Sequence, residues 1–295
     1  MPPSICIIGG ASVDTIIHLE ELPAPRPQTI WPRLSYRAVG STGAGKALNL
    51  KPLGINVSLH TLLGRDQEAE MIKAAMARAK IPLLYQETQA PTEQHVNLMA
   101  PGGQRISLFT HPPADPGDIE WTEVEGLIRE ADLCVVNILS YARPALLLAK
   151  KHRKPLWTDL HDYDGQNPYH QPFIDAADVI FLSSDNLPGY RSFMQRCIEE
   201  GKAFVVCTHG DKGATLLTAE GEWLEQPVFK VAQVKDTNGA GDAFFSGFVH
   251  GYLQGKPLTE CLRLAAACGA LCVQSDQLAG EQLSAEQLES MLAAV

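Results

Sequence analysis

A chain of 295 residues, 45% hydrophobic and 20% charged, can bury a full core as one large domain or two smaller ones. Its formal charge of −10 argues against nucleic acid or an anionic membrane as the main partner. The seven cysteines form no Cys-x-x-Cys pair, no apolar run approaches membrane-spanning length, and no basic-then-apolar leader precedes the first strand-like run. Together these predict a cytoplasmic protein with reduced, buried thiols.

The chain begins with Ser4-Ile5-Cys6-Ile7-Ile8 and Gly9-Gly10, a continuous apolar run closed by glycines, as in a buried parallel strand. Asp14 follows in a post-strand turn, where an open α/β sheet places ligands and where an Asp is also an ordinary turn former. Residues 21–35 carry Pro23, Pro25, Pro27 and Pro32 and suit a lid or edge segment, not a central element. Next comes Gly40-Ser41-Thr42-Gly43-Ala44-Gly45-Lys46, which matches a nucleotide P-loop pattern. That reading fails, because Ala47 stands where a magnesium-holding Ser or Thr belongs and no buried strand precedes Gly40. The segment instead starts a helix running to Gly54, with Pro52 an awkward guest.

A strand over Ile55 to Leu63 and a helix over Gln67 to Lys80 continue the alternation. Two alternating runs around Ala100-Pro101-Gly102-Gly103-Gln104 then predict a hairpin with one exposed face. His95 and Asn97 on that hairpin either point at a ligand or belong to the exposed face, and the alternation favours the face. From Leu133 to Thr208 strands and helices alternate regularly, which calls for a parallel sheet covered on both sides. His161, Asp162, Asp164 and His170 lack the spacing of a closed zinc site. The turn after Thr208 leads into a further strand at Thr215-Leu216-Leu217, and Leu262 to Val273 is an Ala-rich helix.

Between them lies the most informative stretch, Asp236-Thr237-Asn238-Gly239-Ala240-Gly241-Asp242, which opens a helix with apolar residues at Ala243, Phe244 and Phe248. Orphan N–H groups and the positive end of the helix dipole would meet an anion there, and glycines let it approach the main chain.

This stretch resembles the C-terminal signature of the ribokinase-like (PfkB) family of carbohydrate and nucleoside kinases. The resemblance implies a ribokinase-like α/β fold with a doubly wound, mainly parallel sheet, helices on both faces and a small β lid. It implies one kinase domain over residues 1–295, with lid segments at about 15–38 and 92–111. In the family the loop holds the phosphates of ATP and the last Asp takes the proton of the attacking hydroxyl, which assigns Gly239, Ala240, Gly241 and Asp242 to catalysis. Asp14 corresponds to the carboxylate that holds adjacent sugar hydroxyls, and Gly40, Gly43, Gly45, Lys46 and Asn49 to a glycine-rich sugar-binding segment. Two glycine-segment positions depart from the family pattern: Ser41 replaces its second Gly and Gly45 its sugar-binding Asn, so that Lys46 or Asn49 must supply the missing contact or the substrate lacks that hydroxyl. Thr208, Gly210 and Gly213 resemble a Thr-x-Gly-x-x-Gly turn along the nucleotide, with Asp236 and Thr237 beside it. Ser183 and Asn186 occupy an Asn-x-x-Glu motif tied to magnesium, leaving Asp185 as the neighbouring carboxylate for a metal. Ala266 stands where the family often has a His or Asn near adenine.

The implied activity is ATP-dependent phosphorylation of a hydroxymethyl group of a sugar, with Mg²⁺ arriving with ATP and K⁺ as a further candidate cation. A nucleoside kinase and a non-catalytic sugar- or nucleotide-binding regulator on the same fold are the alternatives. Some members of the family dimerise through the lid, which makes a homodimer a candidate assembly.

Overall fold

The apolar runs become the strands of two sheets in a computed structural model that describes residues 2–275 and 283–293. The strands are β1 (Ser4–Ile8), β2 (Ser12–His18), β3 (Leu34–Gly40), β4 (Asn56–Leu63), β5 (Leu83–Glu87), β6 (Glu93–Ala100), β7 (Gln104–His111), β8 (Leu133–Val136), β9 (Leu156–Asp159), β10 (Val179–Ser183), β11 (Phe204–Thr208), β12 (Ala214–Thr218) and β13 (Trp223–Gln226). The helices are α1 (Thr42–Leu50), α2 (Gln67–Arg78), α3 (Thr122–Glu130), α4 (Arg143–Lys151), α5 (Gln171–Ala176), α6 (Tyr190–Glu199), α7 (Ala240–Leu253), α8 (Leu258–Cys272) and α9 (Ala285–Ala293). The larger sheet runs β13-β12-β11-β10-β9-β8-β1-β4-β5, parallel from β11 to β5 and antiparallel at its β12–β13 edge. The smaller runs β3-β2-β6-β7 and forms the lid.

Period-two alternation sends successive side chains of each central strand to opposite layers. Ile5 and Ile7 join a core with α1, α2, α7 and α8, whereas Cys6 and Ile8 join a second core with α3 to α6. Helices therefore cover both faces of the sheet, as the regular alternation of strands and helices predicts. Trp157 of β9 anchors the first core. Its ring meets Phe181, Phe204, Phe245 and Phe248 at centroid distances of 5.4–6.1 Å. Such pairs contribute about 0.5–1.5 kcal/mol each beyond their burial, and they fasten α7 across the sheet so that its N-terminus is held rigidly.

All seven cysteines are buried and free, as their apolar settings predict. No helix among the described residues is long and apolar enough to cross a membrane. Pro52 ends α1 early: the chain tightens into a 3-10 turn at Lys51–Leu53 and leaves through Gly54 at φ 80°.

Two local differences from the sequence reading have physical reasons. Asp14 lies inside strand β2 of the lid, not in a turn, because Gly9-Gly10 ends β1 and the chain re-enters a sheet at Ser12. The sequence reading omits β5, α3, α5 and β13: α5 and β13 span only six and four residues, whereas α3 is capped by no side chain at Trp121 but carries Val124 and Ile128 at helical spacing between first-turn acids and Arg129.

Candidate active site

Two carboxylates from different elements, each beside a glycine that leaves room for it, define the site. Asp242 sits in the first turn of α7, whose N-cap is Gly239 at φ 79°, a left-handed conformation that favours glycine. No side chain caps this helix. Beyond Gly241 there is open space, since a Cβ added there would meet nothing within 4 Å. An uncapped N-terminus behind a small-residue loop fits the phosphates of a nucleotide.

Lys46 and Thr42, on successive turns of α1, both donate to Asp242 Oδ1, at 2.7 and 2.9 Å. Oδ2 lies over Gly45, where a Cβ would come within 2.4 Å of it. Lys46 also donates to Asp159 Oδ2 at 3.0 Å and to Thr42 Oγ1, so the three ammonium hydrogens have three acceptors. It is 0% exposed. Burial opposes its charge, but Asp159 and Asp242 outweigh that and raise its pKa. Burial likewise opposes ionisation of Asp159, yet His161 and Lys46 hold it well below the usual carboxylate range. Lys46 is therefore an internal cation between two carboxylates, not the exposed lysine of a P-loop.

The glycine-rich segment consequently does something other than touch a sugar along its length. Gly40 leaves room for Asp14, whose Oδ2 would lie 2.3 Å from a Cβ there. Gly43 lets α1 pack on the corner after β1, where a Cβ would come within 2.6 Å of the Gly10 carbonyl oxygen. Gly45 makes space for the Asp242 carboxylate, so the position assigned to a sugar-binding Asn serves the other carboxylate instead. Asn49 is fully buried and donates to the Gly45 carbonyl of its own helix at 2.8 Å, which takes it out of ligand reach. Ser41, standing for a glycine, retains φ 64°. Such backbone costs on the order of 1–3 kcal/mol for a residue with a side chain.

Asp14 is 3% exposed and gripped at both oxygens. Oδ1 accepts from Ser12 Oγ at 2.5 Å and faces His95 Nδ1 at 3.3 Å, while Oδ2 accepts from Asn97 Nδ2 at 3.1 Å. His95 and Asn97 thus belong to the buried inner face of the lid, not to its exposed face as the alternation suggested. The parallel register opposes Asp14 to His95 and sets Asn97 one pleat further on the same side. Ile106 and Leu108 are exposed on the outer side.

The lid rests on the signature loop. Tyr36 donates to Asp236 Oδ2 at 3.0 Å, His18 Nε2 is 3.6 Å from the same oxygen, and Arg105 donates to Asn238 Oδ1 at 3.3 Å. The other Asp236 oxygen accepts the Asn238 N–H at 2.7 Å. Asp236 therefore shapes the loop and docks the lid, and Thr237 lies beside Gly103 of the lid.

At the far end, Ser183 and Thr208 are register partners at the carboxyl ends of β10 and β11, where open α/β sheets bind ligands. Gly210 has φ 58° with open space at its Cα. Gly213 is required by packing, since a Cβ would fall 2.1 Å from the Gln226 carbonyl oxygen. Asp185 stays exposed and bonds Ser183 Oγ through its N–H at 3.2 Å. Asp162 accepts from Asn186, and Asp164 caps the N–H groups of Gln166 and Asn167. Among the described residues no three His, Cys, Asp or Glu stand together to cage a metal. Asp185 is an exposed carboxylate after β10, the kind of hard oxygen ligand that a Mg²⁺ keeping several waters takes. Asp159, Thr42 and Glu93 were missed as site residues; an Asp ending a parallel strand was the available signal for the first.

Comparison with known proteins converges on the same reading. Residues 2–283 match the pfkB family carbohydrate kinases. The chain is 33% identical over 271 residues to an acarbose 7(IV)-phosphotransferase of Actinoplanes sp., covering 90% of each. It is 24% identical to a ribokinase of Arabidopsis thaliana, covering 92% of this chain and 76% of that one. Among solved structures, a microbiome-derived acarbose kinase superimposes with a TM-score of 0.88 at 30% identity, covering 99% and 100% of the two chains. The Arabidopsis thaliana ribokinase complexed with ribose and ATP shares the fold, with a TM-score of 0.80 at 22% identity and 99% of each chain covered. An uncapped, glycine-lined helix N-terminus carrying Asp242, a lid carrying Asp14, and these matches over nearly the whole chain together place it in the pfkB family of carbohydrate kinases, as an ATP-dependent sugar kinase.

Proposed function

We propose that the chain transfers the γ-phosphoryl group of ATP to a hydroxymethyl group of a sugar held by Asp14. The observation that carries this is the Lys46-held Asp242 in the first turn of an uncapped helix. The acceptor oxygen attacks the γ-phosphorus and forms the new P–O bond. The bond to the β–γ bridging oxygen breaks with its electron pair leaving on ADP, and the hydroxyl proton passes to Asp242. Oδ2 is the oxygen assigned to that proton, because Oδ1 is engaged by Lys46 and Thr42. Mg²⁺ bound to the phosphates would supply neutralising charge. The N–H groups of Gly239 and Gly241 would face the charge that develops in a loose transition state, which needs positioning more than covalent chemistry, whereas the Ala240 N–H donates to the Thr237 carbonyl at 3.2 Å and shapes the loop instead.

An ATP-consumption assay over pentoses, hexoses, sugar phosphates, nucleosides and acarbose tests the proposal. Turnover with a non-phosphorylated sugar is expected. No turnover with any member would favour a binding protein, a reading that Ser183 and Asn186 at the magnesium motif support.

Asp14→Ala separates acceptor from nucleotide. A charge-assisted bond to a hydroxyl contributes about 1.5–3 kcal/mol, so acceptor KM should rise at least about tenfold while ATP KM is unchanged. An acceptor KM equal to the parent's would remove Asp14 from the site.

A further inference from the structure

The inner face of the lid carries an ion chain that the phosphotransfer reading does not use. Glu93, His95 and Asp14 are 6%, 9% and 3% exposed. His95 Nδ1 stands 3.3 Å from Asp14 Oδ1, and Nε2 stands 2.9 Å from Glu93 Oε1, close but too bent for a linear hydrogen bond. The Phe109 ring packs on the imidazole at a centroid distance of 4.1 Å. A register shift between β6 and β7 at Gln94/His95 sets Phe109 directly opposite His95. Glu93 lies at the base of the lid, where a Cβ on Gly10 would come within 2.7 Å of its Oε2 and 2.4 Å of Ser41 Oγ. Gly10 and Ser41 are the points at which the chain enters and leaves β2 and β3 from the main sheet.

Both imidazole nitrogens face carboxylates. A neutral ring would turn a lone pair toward one of them, whereas an imidazolium presents a proton to each. Resting on the kinase reading, we propose that Glu93 and His95 form a clamp in which cationic His95, anchored at the lid base by Glu93, fixes the Asp14 carboxylate for the acceptor. His95 is thus a positioning residue: it acts through Asp14 and reaches the sugar only by way of it. The groups facing it are Asp14 on β2, Glu93 on its own strand and the uncharged Phe109 ring on β7. Glu93 in turn faces the Tyr141 phenol, which burial keeps neutral. Burial lowers the pKa of His95, but the two carboxylates outweigh it and raise the value to about 9. The cationic clamp is therefore intact at neutral pH and is lost as pH rises through about 9.

The test pairs kinetics with a titration that needs no substrate. In the parent, kcat/KM for the sugar found by the assay panel should fall above pH about 9. His95→Gln should raise acceptor KM by about tenfold, the lower end for a charged hydrogen bond, leave ATP KM within about twofold, and abolish that alkaline fall. NMR of the imidazole carbons of the ligand-free protein should show His95 titrating near 9 in the parent and at a clearly lower pH in Glu93→Gln, which takes away one of the two carboxylates that raise it. A His95 that titrates at the ordinary value in the parent overturns the clamp. So does a His95→Gln enzyme whose losses fall equally on both substrates with the alkaline limb retained. If the parent phosphorylated no acceptor, the kinase reading would fall, while the NMR titration would still decide the clamp.

Discussion

Asp242→Asn is expected to lower kcat by about 10²–10⁴-fold, the usual loss when a general base is removed, with little change in ATP affinity. Asn is nearly the same size and still accepts from Lys46 and Thr42 through its carbonyl oxygen, so the geometry recorded at Oδ1 survives. What it lacks is an oxygen able to take a proton. Losing the favourable charge at the helix N-terminus costs about 0.3–1 kcal/mol, and the buried Lys46 ammonium is left with Asp159 as its carboxylate, so a fall in melting temperature accompanies the loss of rate. Single-turnover rates and the affinity of an ATP analogue measure the two halves separately. If the variant kept more than about a tenth of the parent kcat, far from the general-base loss, Asp242 would be a helix cap and the mechanism would need another base.

Lys46→Met should damage both stability and rate. Asp159 and Asp242 share this one buried ammonium at 3.0 and 2.7 Å, and Met leaves them facing each other without it. Removing one partner of a buried ion pair typically costs about 3–5 kcal/mol. The effect on kcat follows because Asp242 loses the group that orients it. ATP affinity should change little, since Lys46 lies beneath the carboxylates and not on the phosphate loop. Asp159→Asn in the Lys46→Met background should recover part of the stability, because it removes one uncompensated charge. The pH dependence has a defined sign. The depressed pKa of Asp159 contributes stability that is present above the unfolded carboxylate value of about 3.9 and is lost as pH falls through the lower folded value. The stability deficit of Lys46→Met relative to the parent should therefore narrow as pH falls through that range, because protonation removes the charge that Lys46 balances. Loss of ATP-analogue binding with stability unchanged would instead restore the P-loop reading of residues 40–46.

Residues close in the chain carried most of what could be read without coordinates. The alternation of strand and helix, the glycine-opened helix at Asp242 and the rejection of a P-loop at Ala47 each rest on neighbours within a few positions, where backbone preference and periodicity act. The hairpin around Ala100 to Gln104 was legible for the same reason, down to β6 and β7 themselves. The partners of the charged groups were not. Lys46 meets residues 113 and 196 positions away, and Asp14 meets Asn97 across 83. The same glycine pattern that lets a backbone approach a sugar also admits a carboxylate, and only packing shows that Gly40 admits Asp14 and Gly45 admits Asp242. By itself the sequence determined the layered α/β fold and the glycine-opened start of α7, because local preference dictates them, while the candidate base Asp242 came from the resemblance of its motif to the family signature. The tertiary structure alone decided which face of β6 looks inward, where the buried lysine points and what holds each carboxylate, because those depend on side chains from distant strands and helices meeting in one low-dielectric interior where a charge must find its partner.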